Sequence, residues 1–219
     1  MRRYAAVLLD VDGTLVESND AHAHCWAEVL EKHGYEVPYS RVRSLIGMGG
    51  DLLIHAVGGP EPGTRESEKI AKHRSELFLD HWLEKVRPLP KARELVLRLG
   101  AEGYRYAVAS AASTKELLPM LELADLADLC PIRTTSSDVE ESKPNPDIVL
   151  AALEKVHAER HRTVMIGDTP YDVMACRGAS VDMIGVTTGG WSTEALAGAT
   201  AVYAGPADLL ARWADSPLA

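Results

Sequence analysis

Tyr4-Ala5-Ala6-Val7-Leu8-Leu9-Asp10-Val11-Asp12-Gly13-Thr14 is the stretch on which the fold turns. A short apolar run bounded by polar residues reads as a buried strand. This one runs out onto two carboxylates and a glycine. Strand side chains alternate between faces, so Asp10 and Asp12 share one face while Val11 points to the other. Two acids that close resist joint ionisation unless a cation intervenes. One is then suited to act as nucleophile or metal ligand, the other as general acid and base. Asp-Gly between apolar residues is also a type I′ turn signal, so this segment alone equally allows a hairpin.

Three later segments bear on that choice. Ser110 ends the run Tyr104-Arg105-Tyr106-Ala107-Val108-Ala109 and precedes helically spaced Leu117, Leu118 and Leu121. A hydroxyl between strand and helix sits where the helix N-terminus favours an anion, although an isolated Ser there is read as a plain cap. Lys143 lies in Glu141-Ser142-Lys143-Pro144-Asn145-Pro146-Asp147, where Pro144 biases it toward extended backbone. It is either a point charge for phosphate or a solvated loop lysine. Gly167-Asp168-Thr169-Pro170-Tyr171-Asp172 follows the strand-like run Thr163-Val164-Met165-Ile166. Asp168 and Asp172 stand about one helical turn apart, a hard-oxygen pair suited to Mg²⁺, while either alone reads as a helix cap.

Each polar group follows or lies near a predicted strand, and ligands of open α/β sheets bind beyond the carboxyl ends of the strands. Strands are expected over Tyr4–Asp10, Tyr104–Ser110, Thr163–Gly167 and Val181–Val186, with weaker ones near Ile132–Thr135 and Ala201–Tyr203. Helical patterns alternate with them at Ala92–Leu99, Lys115–Leu123, Pro146–Val156, Tyr171–Arg177 and Pro206–Trp213, with Gly100, Gly103 and Gly178 as stop signals. That alternation predicts an α/β fold with a doubly wound, mainly parallel, Rossmann-like sheet.

Residues 15–86 break the alternation and read as consecutive helices, Asp20–His33, Asp51–Val57 and Arg65–Lys85, the last with Ile70, Leu77, Phe78 and Trp82 on one side. The excursion is far longer than an ordinary loop. It predicts an inserted α-helical cap domain over 15–86 on a core of 1–14 and 87–219, with Val86-Arg87-Pro88-Leu89-Pro90 as the return hinge. Ile46-Gly47-Met48-Gly49-Gly50 is either a helix–helix turn or backbone that approaches a ligand. His22 and His24 lack a third ligand nearby and are read as packing residues, Trp26 as an apolar anchor. Lys72 and Arg74 are read as a solvated helix face, with a reach down to a substrate anion as the alternative.

The four motifs together, Asp10-Val11-Asp12-Gly13-Thr14, Ser110, Lys143-Pro144 and Gly167-Asp168 with Asp172, resemble the haloacid dehalogenase-like superfamily over nearly the whole chain. The nearest likeness is to its phosphoglycolate phosphatase-like and β-phosphoglucomutase-like branch. The resemblance implies a phosphatase acting on a small phosphorylated metabolite. Asp10 would be the nucleophile that forms an aspartyl-phosphate, and Asp12 the acid and base. Ser110 and Lys143 would hold the phosphoryl oxygens. Mg²⁺ would be held by Asp10, the Asp12 carbonyl and Asp168, with Asp172 in or just behind that ligand set. His22 aligns with a cap-hinge histidine of some phosphomutase-like relatives. Two departures stand out: Ala111 and Ala112 follow Ser110 where many relatives are polar, and Gly50 stands where some sugar-phosphate mutases carry an arginine. A phosphomutase is the alternative enzyme; a phospho-acceptor switch is the non-enzymatic one, which lacks the Asp-x-Asp-Gly-Thr arrangement.

Composition narrows the class. The 219 residues, 46% of them hydrophobic, can bury a sizeable core without staples. The net charge of −9 argues against a nucleic-acid or anionic-membrane surface. Cys25, Cys130 and Cys176 are dispersed without C-x-x-C spacing, which suits a reducing cytoplasm. The apolar run after Met1-Arg2-Arg3 is too short for a signal sequence, and no stretch approaches a membrane span.

Overall fold

A computed structural model describes residues 2–219. The chain runs β1 (Ala6–Leu9), β2 (Val16–Glu17), α1 (Asn19–Lys32), α2 (Tyr39–Arg43), α3 (Gly50–Ala56) and α4 (Arg65–Leu77), then β3 (Arg87–Pro88), α5 (Ala92–Ala101), β4 (Arg105–Ala109), α6 (Thr114–Leu123) and β5 (Arg133–Thr134). It continues through α7 (Asp147–Lys155), β6 (Thr163–Gly167), α8 (Pro170–Ala179), β7 (Asp182–Val186), β8 (Ala201–Tyr203) and α9 (Pro206–Ala211). Six strands form one parallel sheet in the order β5-β4-β1-β6-β7-β8. The chain winds outward from β1 to β5, crosses back, and winds the other way from β6. This is the doubly wound sheet read from the sequence, with its switch point at β1.

Burial on both faces explains the uninterrupted apolar runs. Val7 and Leu9 join Val108, Ile166 and Ile184 beneath α5, α6 and α9. Ala6 and Leu8 join Ala107, Met165 and Met183 beneath α7 and α8. Alternate side chains of one strand thus feed two cores. Among the described residues, no helix is long and apolar enough to cross a membrane.

The helices α1 to α4 fill the excursion between β1 and β4, and Trp26, Ile70 and Phe78 extend the first core into them. The short helix α2 carries too few apolar positions to announce itself in the sequence. After α4 the chain goes through a widened π-helical turn at Phe78–Trp82 and a 3-10 turn at Leu83–Lys85 rather than one α-helix to Lys85. A shift of pitch leaves the apolar spacing almost unchanged, so the sequence did not mark it. The expected hinge is half of a two-stranded ribbon: Val16 pairs with Pro88 and Glu17 with Arg87. Two of the glycine stop signals are misplaced. Gly100 lies inside α5, and Gly178 lies inside α8, where a Cβ would stand 3.2 Å from Pro146. That close approach between helices accounts for Gly178, and α8 ends instead at Ser180, with φ of 58°.

Candidate active site

The hairpin alternative fails at the exit of β1, because β1 is paired on both sides by parallel strands. The chain instead turns sharply after Asp10. The Val11 carbonyl accepts the N–H groups of Leu15 and Val16 at 2.8 and 3.0 Å. Gly13 sits at φ +73°, where a Cβ would lie 2.2 Å from Asp168 Oδ2. Both the left-handed backbone and the approach to that carboxylate require glycine there.

Around this turn the structure gathers side chains from four distant segments. Lys143, 2% exposed, donates from Nζ to Asp10 Oδ1 at 2.7 Å and makes an ion pair with Asp172 Oδ1 at 2.7 Å. It is therefore a buried cation and not a solvated loop lysine. Asp10, Asp168 and Asp172 each offer a carboxylate oxygen within 4.8 Å of the others, and all three are buried. Asp168 accepts Asn19 Nδ2–H at 2.9 Å and the Thr14 hydroxyl at 3.3 Å. Asp172 also closes a capping box: its Oδ2 accepts the Thr169 N–H at 3.0 Å, and its own N–H donates back to Thr169 Oγ1. The capping role and the ion pair coexist in one side chain.

Electrostatics follow from this crowding. Burial raises the Asp10 carboxyl well above the ordinary range; Lys143 opposes the shift, and Asp172 and Asp12 reinforce it. Asp168 is pushed up by burial and by Asp10 and Asp172. Burial alone would depress Lys143, but Asp10 and Asp172 outweigh it and hold the ammonium charged. Three buried carboxylates share one lysine.

Asp12 faces the helical segment. Its Oδ1 accepts the Ser18 hydroxyl at 2.5 Å and lies 2.7 Å from His22 Nε2. On the other side of that ring, Nδ1 meets an Nη2–H of Arg74. A guanidinium can only donate, so Nδ1 is the acceptor and Nε2–H donates to Asp12. Burial would raise Asp12, yet His22, Ser18 and Arg74 outweigh it and hold the carboxyl at about 2. Arg74 Nη1 in turn bonds both oxygens of Glu116, at 2.7 and 2.8 Å. His22 and Arg74 thus stand beside Asp12. Of the sequence readings, packing alone for His22 and a solvated face for Arg74 do not hold, while the alternatives, a cap-hinge histidine and a basic side chain reaching down, agree with this placement. Lys72 is solvent-exposed, as read.

A cavity of about 400 Å³ opens over these groups, with Asp10, Asp12, Lys143 and Asp172 on its wall. Loop 46–50 closes one side, and the Gly49 N–H donates to the Lys143 carbonyl at 3.0 Å. Trp26, the expected anchor, is 5% exposed and contributes to the wall as well. Ser110 is fully buried and is not a wall residue; its Oγ accepts the Ala112 N–H at 3.1 Å. Asp168 lies behind the wall, against Asn19.

Sequence reasoning passed over Asn19, Ser18 and Glu116. A signal existed for Glu116: it falls with Leu117, Met120 and Leu121 on the buried side of α6. Arg74 likewise keeps the spacing of Ile70 and Leu77 on α4. A charge on an apolar stripe needs a partner, and these two charges are each other's.

Residues 7–186 match the model of a family described as haloacid dehalogenase-like hydrolase. The chain is 28% identical over 184 residues to the phosphoglycolate phosphatase of Nitrosospira multiformis, covering 80% of this chain and 79% of that protein. It is 27% identical over 181 residues to the pyrophosphatase PpaX of Bacillus mycoides, covering 83% and 82%. Among solved structures, a hydrolase from Pseudomonas syringae superposes with a TM-score of 0.89 at 27% identity, covering 96% of this chain and 98% of that one.

Proposed function

Since the chain belongs to the haloacid dehalogenase-like hydrolase family, we propose that it is a Mg²⁺-dependent phosphatase of a small phosphorylated metabolite, working through an aspartyl-phosphate on Asp10. One observation carries this reading: Asp10, Asp168 and Asp172 converge, buried, beside Lys143 at a cavity. The relatives named as a phosphoglycolate phosphatase and a pyrophosphatase support the substrate class.

The donor set fits a hard divalent cation. All three groups present oxygen, and the three buried carboxylates face a single lysine, so a divalent cation would complete the local charge balance. Asp10, Asp168 and Asp172 would hold Mg²⁺, joined by the Asp12 backbone carbonyl. Bound there, the ion supplies the positive charge that lets an anionic phosphoryl group approach an anionic nucleophile.

The chain's own residues divide the remaining work. An Asp10 oxygen bonds to phosphorus as the bond to the leaving alcohol breaks. Lys143, already fixed on Asp10 Oδ1, offers N–H to a phosphoryl oxygen. The Ser110 hydroxyl accepts one bond but keeps its own proton to donate. Asp12 is ionised at rest, and the arrival of a phosphate dianion favours its protonated form. That proton passes to the alkoxide. Asp12 then takes one from the water that attacks phosphorus, releasing inorganic phosphate and restoring Asp10. Residues 15–86 act as a cap over a catalytic core of 1–14 and 87–219, and His22, carried by that segment, donates to Asp12. Three buried free cysteines suit a reducing cytoplasm. A mutase must grip a second phosphate, and Gly50 supplies neither a cation nor room for one: a Cβ there would meet Trp26 Cζ2 at 2.7 Å.

The test is Asp10→Asn, followed by phosphate release from p-nitrophenyl phosphate with Mg²⁺ and with EDTA. Turnover should vanish in the variant and in EDTA, with circular dichroism unchanged. Substantial activity of the folded variant would remove the covalent mechanism.

A further inference from the structure

Six acids line the cavity, Asp10, Asp12, Asp51, Glu116, Glu140 and Asp172, against three basic side chains, His22, Arg74 and Lys143. Every one of the three is already engaged. Lys143 is held by Asp10 and Asp172, His22 by Asp12, and Arg74 by Glu116. The first two serve the reacting end of the substrate. Arg74 is the basic group left to meet the rest of it, and Glu116 covers it with both oxygens while itself only 3% exposed.

From this pairing we infer that Glu116 sets specificity: by neutralising Arg74 it restricts the enzyme to phosphate esters whose leaving alcohol is uncharged and hydroxyl-bearing. The inference rests on the phosphatase reading above. A leaving group with its own carboxylate or second phosphate would enter a wall with surplus negative charge. To reach Arg74 it must displace Glu116, leaving a buried carboxylate without a partner. Burial by itself would raise the Glu116 carboxyl, but the Arg74 guanidinium bonded to it outweighs burial and keeps it ionised.

What the wall does offer matches a polyol. Ser136 and Ser142 line the cavity without being fully buried, and each hydroxyl can donate to or accept from a substrate hydroxyl. Trp26, Met48 and Ala71 add an apolar surface suited to a carbon skeleton. Hydrogen-bonding groups with no net charge to spare, beside an aromatic ring, describe a sugar or polyol monophosphate.

The test compares phosphate release from glycerol 3-phosphate and p-nitrophenyl phosphate with release from 2-phosphoglycolate and pyrophosphate, all with Mg²⁺. Wild type should prefer glycerol 3-phosphate over 2-phosphoglycolate by at least about tenfold in kcat/KM, or about 1.4 kcal/mol. Glu116→Gln, which keeps the shape and removes the charge, should shrink that ratio by about tenfold. Because the ratio is read within one protein, partial loss of folded material does not alter it. Should the variant not fold at all, the wild-type preference decides alone. Equal or better turnover of 2-phosphoglycolate or pyrophosphate by wild type overturns the inference while leaving a phosphatase. So does an unchanged ratio in Glu116→Gln. No phosphate from any ester, p-nitrophenyl phosphate included, overturns both readings.

Discussion

Replacing Asp168 with Asn should stabilise the metal-free protein and weaken the Mg²⁺-loaded one. Asp168 carries carboxylate oxygens within 4.8 Å of those of Asp10 and Asp172. Two unit charges at such a separation repel by about 3.5 kcal/mol at an effective dielectric constant of about 20. Lys143 offsets part of this through its ion pairs with the other two acids. Asn keeps the Asn19 bond through its single oxygen, and its NH2 group can donate to the Thr14 hydroxyl in place of the bond accepted there. The net relief is then about 2 kcal/mol, or roughly 4–8 °C in Tm for a chain of this length. The sign of the pH dependence follows from Asp168 holding its proton more tightly when folded than when unfolded. Below the unfolded value, wild type has no penalty. As pH rises toward the folded value, the native state loses stability relative to the variant, so the gap widens between pH 5 and pH 8. With Mg²⁺ at about a hundredfold over its Kd, wild type gains about 2.7 kcal/mol, while the variant gains far less, and the order reverses. Thermal melts at the two pH values, with Mg²⁺ and with EDTA, read all four quantities. A metal-free variant less stable than wild type at both pH values would refute the frustrated-triad argument, as would an equal gain from Mg²⁺.

His22→Asn shortens the side chain so that its donor no longer reaches Asp12, while its amide oxygen can still accept from Arg74. The kcat on glycerol 3-phosphate should fall by about 10²-fold, with a loss of less than about tenfold on p-nitrophenyl phosphate, whose phenolate leaves with little protonation; equal losses would show that the histidine does not support proton transfer. Gly189→Ala would place a Cβ 1.7 Å from Asp168 Oδ2. It should cost about 1–3 kcal/mol in a urea melt and reduce the stabilisation by Mg²⁺, because the strain moves that carboxylate; a variant matching wild type in both would show that the loop gives way freely.

The sheet was legible because both its faces are buried, so strands such as Thr163–Gly167 stand out as apolar runs between helical patterns. Asp10 and Asp168 were legible because each directly follows a strand, and a parallel sheet brings strand ends together; Asp172 on α8 and Lys143 in the loop after β5 became legible only when the four motifs were read together. The partners of Asp12 were not. His22, Arg74 and Glu116 come from α1, α4 and α6, and their meeting depends on how the helical segment packs, which no local spacing encodes. The ribbon at Val16 and Arg87 was missed for a related reason: a two-residue strand has no periodicity to read. Gly100 and Gly178 show the converse error, in which a residue type that can end a helix was taken to do so.

That ribbon has an effect on how the gene can change. Because the chain leaves the sheet through Val16–Glu17 and comes back through Arg87–Pro88, lying alongside, the two junctions remain one ladder spacing apart whatever lies between them. Lengthening, shortening or swapping the intervening helices leaves the parallel strands and their register undisturbed. Such changes can spare the site only where Asn19, His22 and Arg74 are kept, because from within that segment they hold Asp168 and Asp12 in place.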